Sequence, residues 1–60
     1  MYTFETYKNG TGFGYYILCD GTIIINQPTK PTLEGNVLMN KATSELLASE
    51  LCEKLNTQQG

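Results

Sequence analysis

The chain has 60 residues, which allows one domain at most, and a domain of this size buries only about 60% of the surface that its unfolded chain exposes. Four lysines face six acidic residues for a net charge of -2, and there is no His, Arg or Trp. Lack of imidazole excludes the ordinary general base near neutral pH, the usual serine and cysteine dyads and His-containing zinc sites, and lack of a basic footprint argues against nucleic-acid binding. The longest apolar runs, Tyr15 to Cys19 and Ile23 to Ile25, fall far short of the roughly 20 residues that a membrane span needs.

The beginning of the chain carries no basic stretch followed by an apolar segment, so no export address is read from it. As written, the chain reads as cytoplasmic; an exported or cell-envelope location follows if it is a trimmed form. Two cysteines, Cys19 and Cys52, read as small buried hydrophobes that are reduced or only facultatively paired.

The first half predicts strands. Tyr2, Phe4 and Thr6 alternate with Thr3, Glu5 and Tyr7 over residues 2–8, and Asn9-Gly10 supplies a turn that Thr11-Gly12 lengthens or bulges. A second strand covers 13–19, Asp20-Gly21 is the stronger turn signal, and a third strand covers 22–27. A two-residue turn at Asp20-Gly21 sets Leu18 opposite Ile23, Ile17 opposite Ile24 and Tyr16 opposite Ile25, and opposed residues share a face. One face then bears Tyr15, Ile17, Cys19 and Ile24, joined by Tyr2, Phe4 and Phe13 if the first hairpin closes at Asn9-Gly10; the other bears Tyr7, Tyr16, Leu18, Ile23 and Ile25.

Residues 28–39 read as a connection, extended by Pro28 and Pro31 and turned by Gly35-Asn36. A helix is predicted over 41–55, with Asn40 as its N-cap and Ser44, Leu47, Ala48, Leu51, Cys52 and Leu55 on one stripe. The polar end, residues 56–60, is expected to be disordered. The fold class is α+β: a three-stranded antiparallel meander with one C-terminal helix packed on the face of Phe4, Tyr15, Ile17 and Ile24.

The pattern Gly14-Tyr15-Tyr16-Ile17, Asp20-Gly21, Ile24-Ile25, Gln27-Pro28, Pro31, Gly35-Asn36 and Glu53-Lys54-Leu55 resembles a family of short bacterial proteins of Bacteroidetes type, classed as a domain of unknown function. The likeness covers about residues 13–55, and it implies small exported or lipid-anchored proteins. Where that family usually has a His before Gln-Pro this chain has Asn26, and where an aromatic follows Gly-Asn it has Met39. The missing His weakens any metal or acid-base role that the resemblance would otherwise imply.

Gln27, Pro28, Pro31, Gly35 and Asn36 form the one constellation that periodicity does not explain. They either satisfy loop backbone and stiffen a cover over the sheet, or present amides and prolines to a ligand or partner. Gly10, Gly12 and Gly14 resemble a phosphate loop only superficially, because a strand follows them and no Gly-Lys-Ser does. Glu45, Glu50 and Glu53 are spaced for solvation rather than convergence. No catalytic residue, metal site or cofactor is read from the chain.

The expected role is therefore a non-catalytic interaction or structural module that binds protein or peptide. A cell-envelope accessory domain binding a ligand through residues 27–36 is the alternative. The apolar set Tyr7, Tyr16, Leu18, Ile23 and Ile25 has too few elements to cover it. It predicts a homodimer or a protein partner on that face, with residues 28–39 folding back over it as the rival arrangement.

Overall fold

The computed structural model describes residues 1–59 and, for Gln59, the backbone alone. Strands β1 (Tyr2–Asn9), β2 (Gly12–Cys19) and β3 (Thr22–Gln27) precede a short hairpin, β4 (Lys30–Thr32) and β5 (Gly35–Val37), and the helix α1 (Lys41–Gln59) ends the chain. The first three strands form an antiparallel sheet in the order β1-β2-β3, and β4-β5 is a separate two-stranded ladder. The protein is thus an α+β fold with a three-stranded meander and one C-terminal helix.

Both meander turns have two-residue loops, and their backbone signs follow the residues in them. Asn9 pairs with Gly12, and Gly10 at φ 61° supplies the positive first position of a type II′ turn. Cys19 pairs with Thr22, and Asp20 at φ 50° with Gly21 at φ 88° makes the doubly positive pair of a type I′ turn.

The helix lies over β1 and β2. The core between them joins Tyr15, Ile17 and Met39 to Ala48 and Cys52 of the helix, with Tyr2 and Ile25 of the sheet and Leu47, Leu51 and Leu55 of the helix packed around them. Ile17 and Ala48 are fully buried. The start of α1 is fixed as its sequence requires: the Thr43 amide donates to Asn40 Oδ1 at 2.7 Å, the side-chain acceptor of an N-cap. One turn later the buried Ser44 hydroxyl donates to the Gly14 carbonyl at 2.8 Å, which ties the helix to the centre of β2.

Three expectations about the third strand are corrected. A bulge between Ile17 and Leu18 in the β2-β3 register sets Ile17 opposite Ile25 while Leu18 stays opposite Ile23, so Ile24 is the inserted residue. Ile25 therefore belongs to the helix-side core rather than to the opposite face, and Ile24, expected in the core, is 48% exposed. Phe4 shares the helix-side face with Ile17, as expected, and is 37% exposed there because it sits on the outer strand of the sheet.

The expected disordered end is instead helical through Gln59; Gly60 lies outside the described residues. The reason is Asn56, whose carboxamide accepts from the Tyr2 amide at 2.8 Å and donates to the Tyr2 carbonyl at 3.0 Å. These two bonds pin the last turns of α1 to the first residue of β1.

The connection 28–39 holds the β4-β5 hairpin, closed by Thr32 opposite Gly35. Gly35, at φ 126°, takes a conformation that a side chain would strain. The Glu34 amide donates to Thr32 Oγ1 at 3.3 Å. After the hairpin, Met39 bridges to Phe13 and buries its side chain in the core, taking the edge of β2 that β3 has left.

Candidate functional site

On the face away from the helix, residues alternate out of β1 as Thr3, Glu5 and Tyr7 and out of β2 as Gly12, Gly14, Tyr16 and Leu18, as the ladder register requires. β3 adds Ile23 opposite Leu18 and Asn26 opposite Tyr16. Tyr7 and Tyr16 stack with ring centroids 4.4 Å apart and planes at 20°. The Tyr7 hydroxyl donates to Asn26 Oδ1 at 2.6 Å, so one tyrosine spans the sheet from β1 to β3.

Gly14 makes this crossing feasible. A Cβ there would come within 2.8 Å of the Tyr7 ring and of the Pro28 backbone, so the absent side chain is the space the phenol occupies. Gly12 has the same relation to the Leu38-Met39 backbone, where a Cβ would meet the Met39 carbonyl at 2.7 Å. Both glycines serve close packing inside a strand. Burial raises the Tyr7 pKa above its usual value, with the Tyr16 phenol adding to the shift, so the Tyr7 hydroxyl stays protonated and donating at neutral pH.

The rival expectation, that residues 28–39 fold back over this face, is not what the chain does. The two ends of the connection, at Pro28 and at Leu38-Met39, lie against the Gly12-Gly14 end of the sheet. Lys30 and Pro31 lie instead on the helix side, where they form one wall of a groove of about 810 Å³ whose other wall includes Leu47, Leu51 and Lys54 and which Tyr15 also lines. The hairpin packs chiefly on itself, and Leu33 at its tip is fully exposed.

Of the expected interface set, Tyr7, Tyr16 and Leu18 are half-buried on the open face, and Ile23 is 52% exposed there. Ile25 leaves the set through the bulge. Tyr15 and Tyr16 point to opposite faces as adjacent strand residues must, and Tyr15 is 7% exposed on the helix side.

The second expected set does not converge on a ligand. Gln27 Nε2 donates to the Thr29 carbonyl at 2.6 Å, and the Pro28 carbonyl accepts from Asn9 Nδ2 at 2.8 Å. Pro31 sits opposite Asn36 in mid-ladder, and Gly35 supplies the turn. These residues shape the hairpin, and of them Pro31 alone lines the groove. Asn26 and Asn9, which anchor the open face and the hairpin base, were read from the sequence only as the residue before Gln-Pro and as part of a turn, not as site residues. The signals for Asn26 were a carboxamide ending an isoleucine run and its place just before Gln27-Pro28.

Cys19 and Cys52 are both free thiols, and Cys52 Sγ donates to the Tyr2 carbonyl at 3.1 Å. Among the described residues no three acidic or thiol side chains gather in a way that holds a metal ion. No described helix is long and apolar enough to cross a membrane. The Glu50–Lys54 spacing on α1 does not close into an ion pair; the described salt bridge joins the Met1 amino group to Asp20 at 2.9 Å.

The profile of one family, DUF4907, a domain of unknown function, matches residues 5–60. The chain belongs to this family. The DUF4907 match takes in all of β2, β3, the hairpin and the described helix, together with β1 from Glu5 onward. No curated protein and no solved structure matches the chain.

Proposed function

We propose that this DUF4907 chain is a non-catalytic protein-interaction module that docks a partner through the sheet face opposite its helix. The observation that carries this reading is that the face is left open: the hairpin turns to the helix side, and the Tyr7-Tyr16 stack, Leu18 and Ile23 stay in contact with solvent. Stacked tyrosines are large, stiff and amphipathic, which suits a protein contact. With Ile25 turned into the core, a two-fold meeting of purely apolar patches gives way to a contact of mixed aromatic and polar character. Thr3, Glu5 and Asn26 contribute its polar part.

Affinity capture with the immobilised chain tests the reading when two charge insertions are compared. Ile23→Asp is expected to abolish capture of a partner that the wild type retains, and Leu33→Asp at the hairpin tip is expected to leave it intact. The reverse pattern would move the contact to the hairpin. One observation favours the alternative, a cell-envelope domain that takes a ligand with residues 27–36. The groove between hairpin and helix includes Lys30 and Pro31, and the Tyr15 ring lines it without a hydrogen bond from its hydroxyl among the described residues.

A further inference from the structure

The outer edge of β1 has an alternation that three separate contacts fix. In an antiparallel ladder, opposed residues either exchange both backbone hydrogen bonds or turn both groups outward, in strict alternation. The Tyr2 amide and carbonyl point away from β2, because both are bonded to Asn56. The Phe13 amide, opposite Lys8, points away from β1, because it donates to the Met39 carbonyl at 2.7 Å. The two-residue loop between Asn9 and Gly12 is closed by an inward-bonded pair. All three agree that Tyr2, Phe4, Thr6 and Lys8 turn their N–H and C=O outward while Thr3, Glu5, Tyr7 and Asn9 bond to β2.

Asn56 occupies the outward groups of Tyr2, which leaves those of Phe4, Thr6 and Lys8 as a regular open edge. β1 has no proline and no bulge, the devices that blunt an edge strand. The other edge of the sheet has the bulge at Ile24 and runs into Pro28.

We infer that β1 pairs antiparallel with β1 of a second copy, Thr6 against Thr6, and joins two sheets into one. This goes beyond the open-face reading and uses a different surface. The register is selected by chemistry on the strand itself. Placing Thr6 on the two-fold axis sets Phe4 opposite Lys8 of the second copy and uses all three outward residues, for about six backbone hydrogen bonds. A shift toward the start of the strand puts Glu5 against Glu5 and brings Tyr2, already taken by Asn56, into the ladder. A shift the other way puts Phe4 beyond the partner strand, opposite its turn.

Charge complementarity favours a second copy as the occupant. Lys8 is exposed and belongs to no described ion pair, and so is Glu53. Glu53 lines a cavity with Phe4, Ser49 and Cys52 on the helix side of β1. In the Thr6-centred register, Lys8 of the second copy lies across from Phe4 and faces that cavity, so the Lys8–Glu53 attraction occurs twice by symmetry. Strands are spaced about 4.8 Å apart.

Sedimentation equilibrium of the full chain over a micromolar to millimolar range, with backbone amide exchange by NMR, tests the pairing. The wild type is expected to dimerise, with the Phe4, Thr6 and Lys8 amides gaining protection as concentration rises, while those of Glu5 and Tyr7 are protected throughout. Thr6→Pro removes an outward N–H without touching the ladder to β2, and it is expected to weaken association about tenfold. Lys8→Glu and Glu53→Lys keep the fold, each weakens the dimer, and their combination restores it. Ile23→Asp leaves it unchanged, which separates this pairing from the open-face reading. A monomeric wild type, or a dimer indifferent to Lys8→Glu and Glu53→Lys, overturns the inference even if Thr6→Pro fails to fold.

Discussion

Gly14→Ala places the smallest perturbation where the open face is built. The added Cβ would lie 2.8 Å from Pro28 Cα and 2.8 Å from both Cζ and the hydroxyl of Tyr7, whereas carbon atoms rest about 3.5–4.0 Å apart. Neither neighbour yields freely. Pro28 is backbone, with its carbonyl held by Asn9, and Tyr7 is held by its stack on Tyr16 and its bond to Asn26. Overpacking of this kind costs about 1–3 kcal/mol, and the loss of glycine's freedom in the unfolded chain returns about 0.4–1 kcal/mol. A net loss of about 1–2 kcal/mol is expected, read as a lower urea midpoint at unchanged slope. The Tyr16 ring resonances shift as the stack opens. In a Tyr7→Ala background the penalty falls but does not vanish, because Pro28 remains. Gly14→Ala at wild-type stability with unshifted Tyr16 resonances would refute the reasoning.

Other outcomes follow from the same contacts. Ile17→Ala empties a fully buried site and is expected to cost about 2–5 kcal/mol in a denaturant titration, enough to unfold a domain of this size. Ile25→Asp, now a charge in the core, unfolds the chain by circular dichroism, whereas Ile23→Asp leaves it folded. Asn56→Ala removes both bonds to Tyr2 and costs about 1–3 kcal/mol, with faster amide exchange in the last turn of α1. Burial raises the Tyr15 pKa above its ordinary value near 10, because the phenolate is disfavoured beneath the helix. That contribution to stability is complete below the unfolded-state pKa and is lost as pH rises through the folded one. Alkaline unfolding above about pH 10 is therefore delayed in Tyr15→Phe relative to wild type.

The meander, the Asp20-Gly21 turn and the helix start were legible because each rests on local chemistry: alternation in Tyr2 to Tyr7, positive φ at Asp20-Gly21, and the Asn40 cap. The first turn was legible in place through Gly10, but Thr11-Gly12 neither lengthens nor bulges it, because Asn9 pairs directly with Gly12. The bulge was not, since Ile23, Ile24 and Ile25 are identical side chains and nothing in their order says which is inserted. That one residue moved Ile25 from the expected contact face to the core. The helical end was missed because Asn56 gains its meaning from Tyr2, 54 positions away. The hairpin was hidden by its prolines: Pro28 precedes it, and Pro31, in mid-ladder, is tolerated only because the hairpin is all edge. Tyr7 and Tyr16 were legible as neighbours of an open face, but their stack depended on Gly14, whose role shows only when Tyr7 is seen lying over it.

Amide and side-chain shift mapping of the isotope-labelled chain against its captured partner tests the open face most directly. Perturbations are expected at Tyr7, Tyr16, Leu18, Ile23 and Asn26, with the groove walls at Lys30, Leu47 and Leu51 unmoved. Shifts concentrated in the Lys30–Val37 hairpin and the groove, with the Tyr7-Tyr16 stack silent, would contradict the assignment of function to that face.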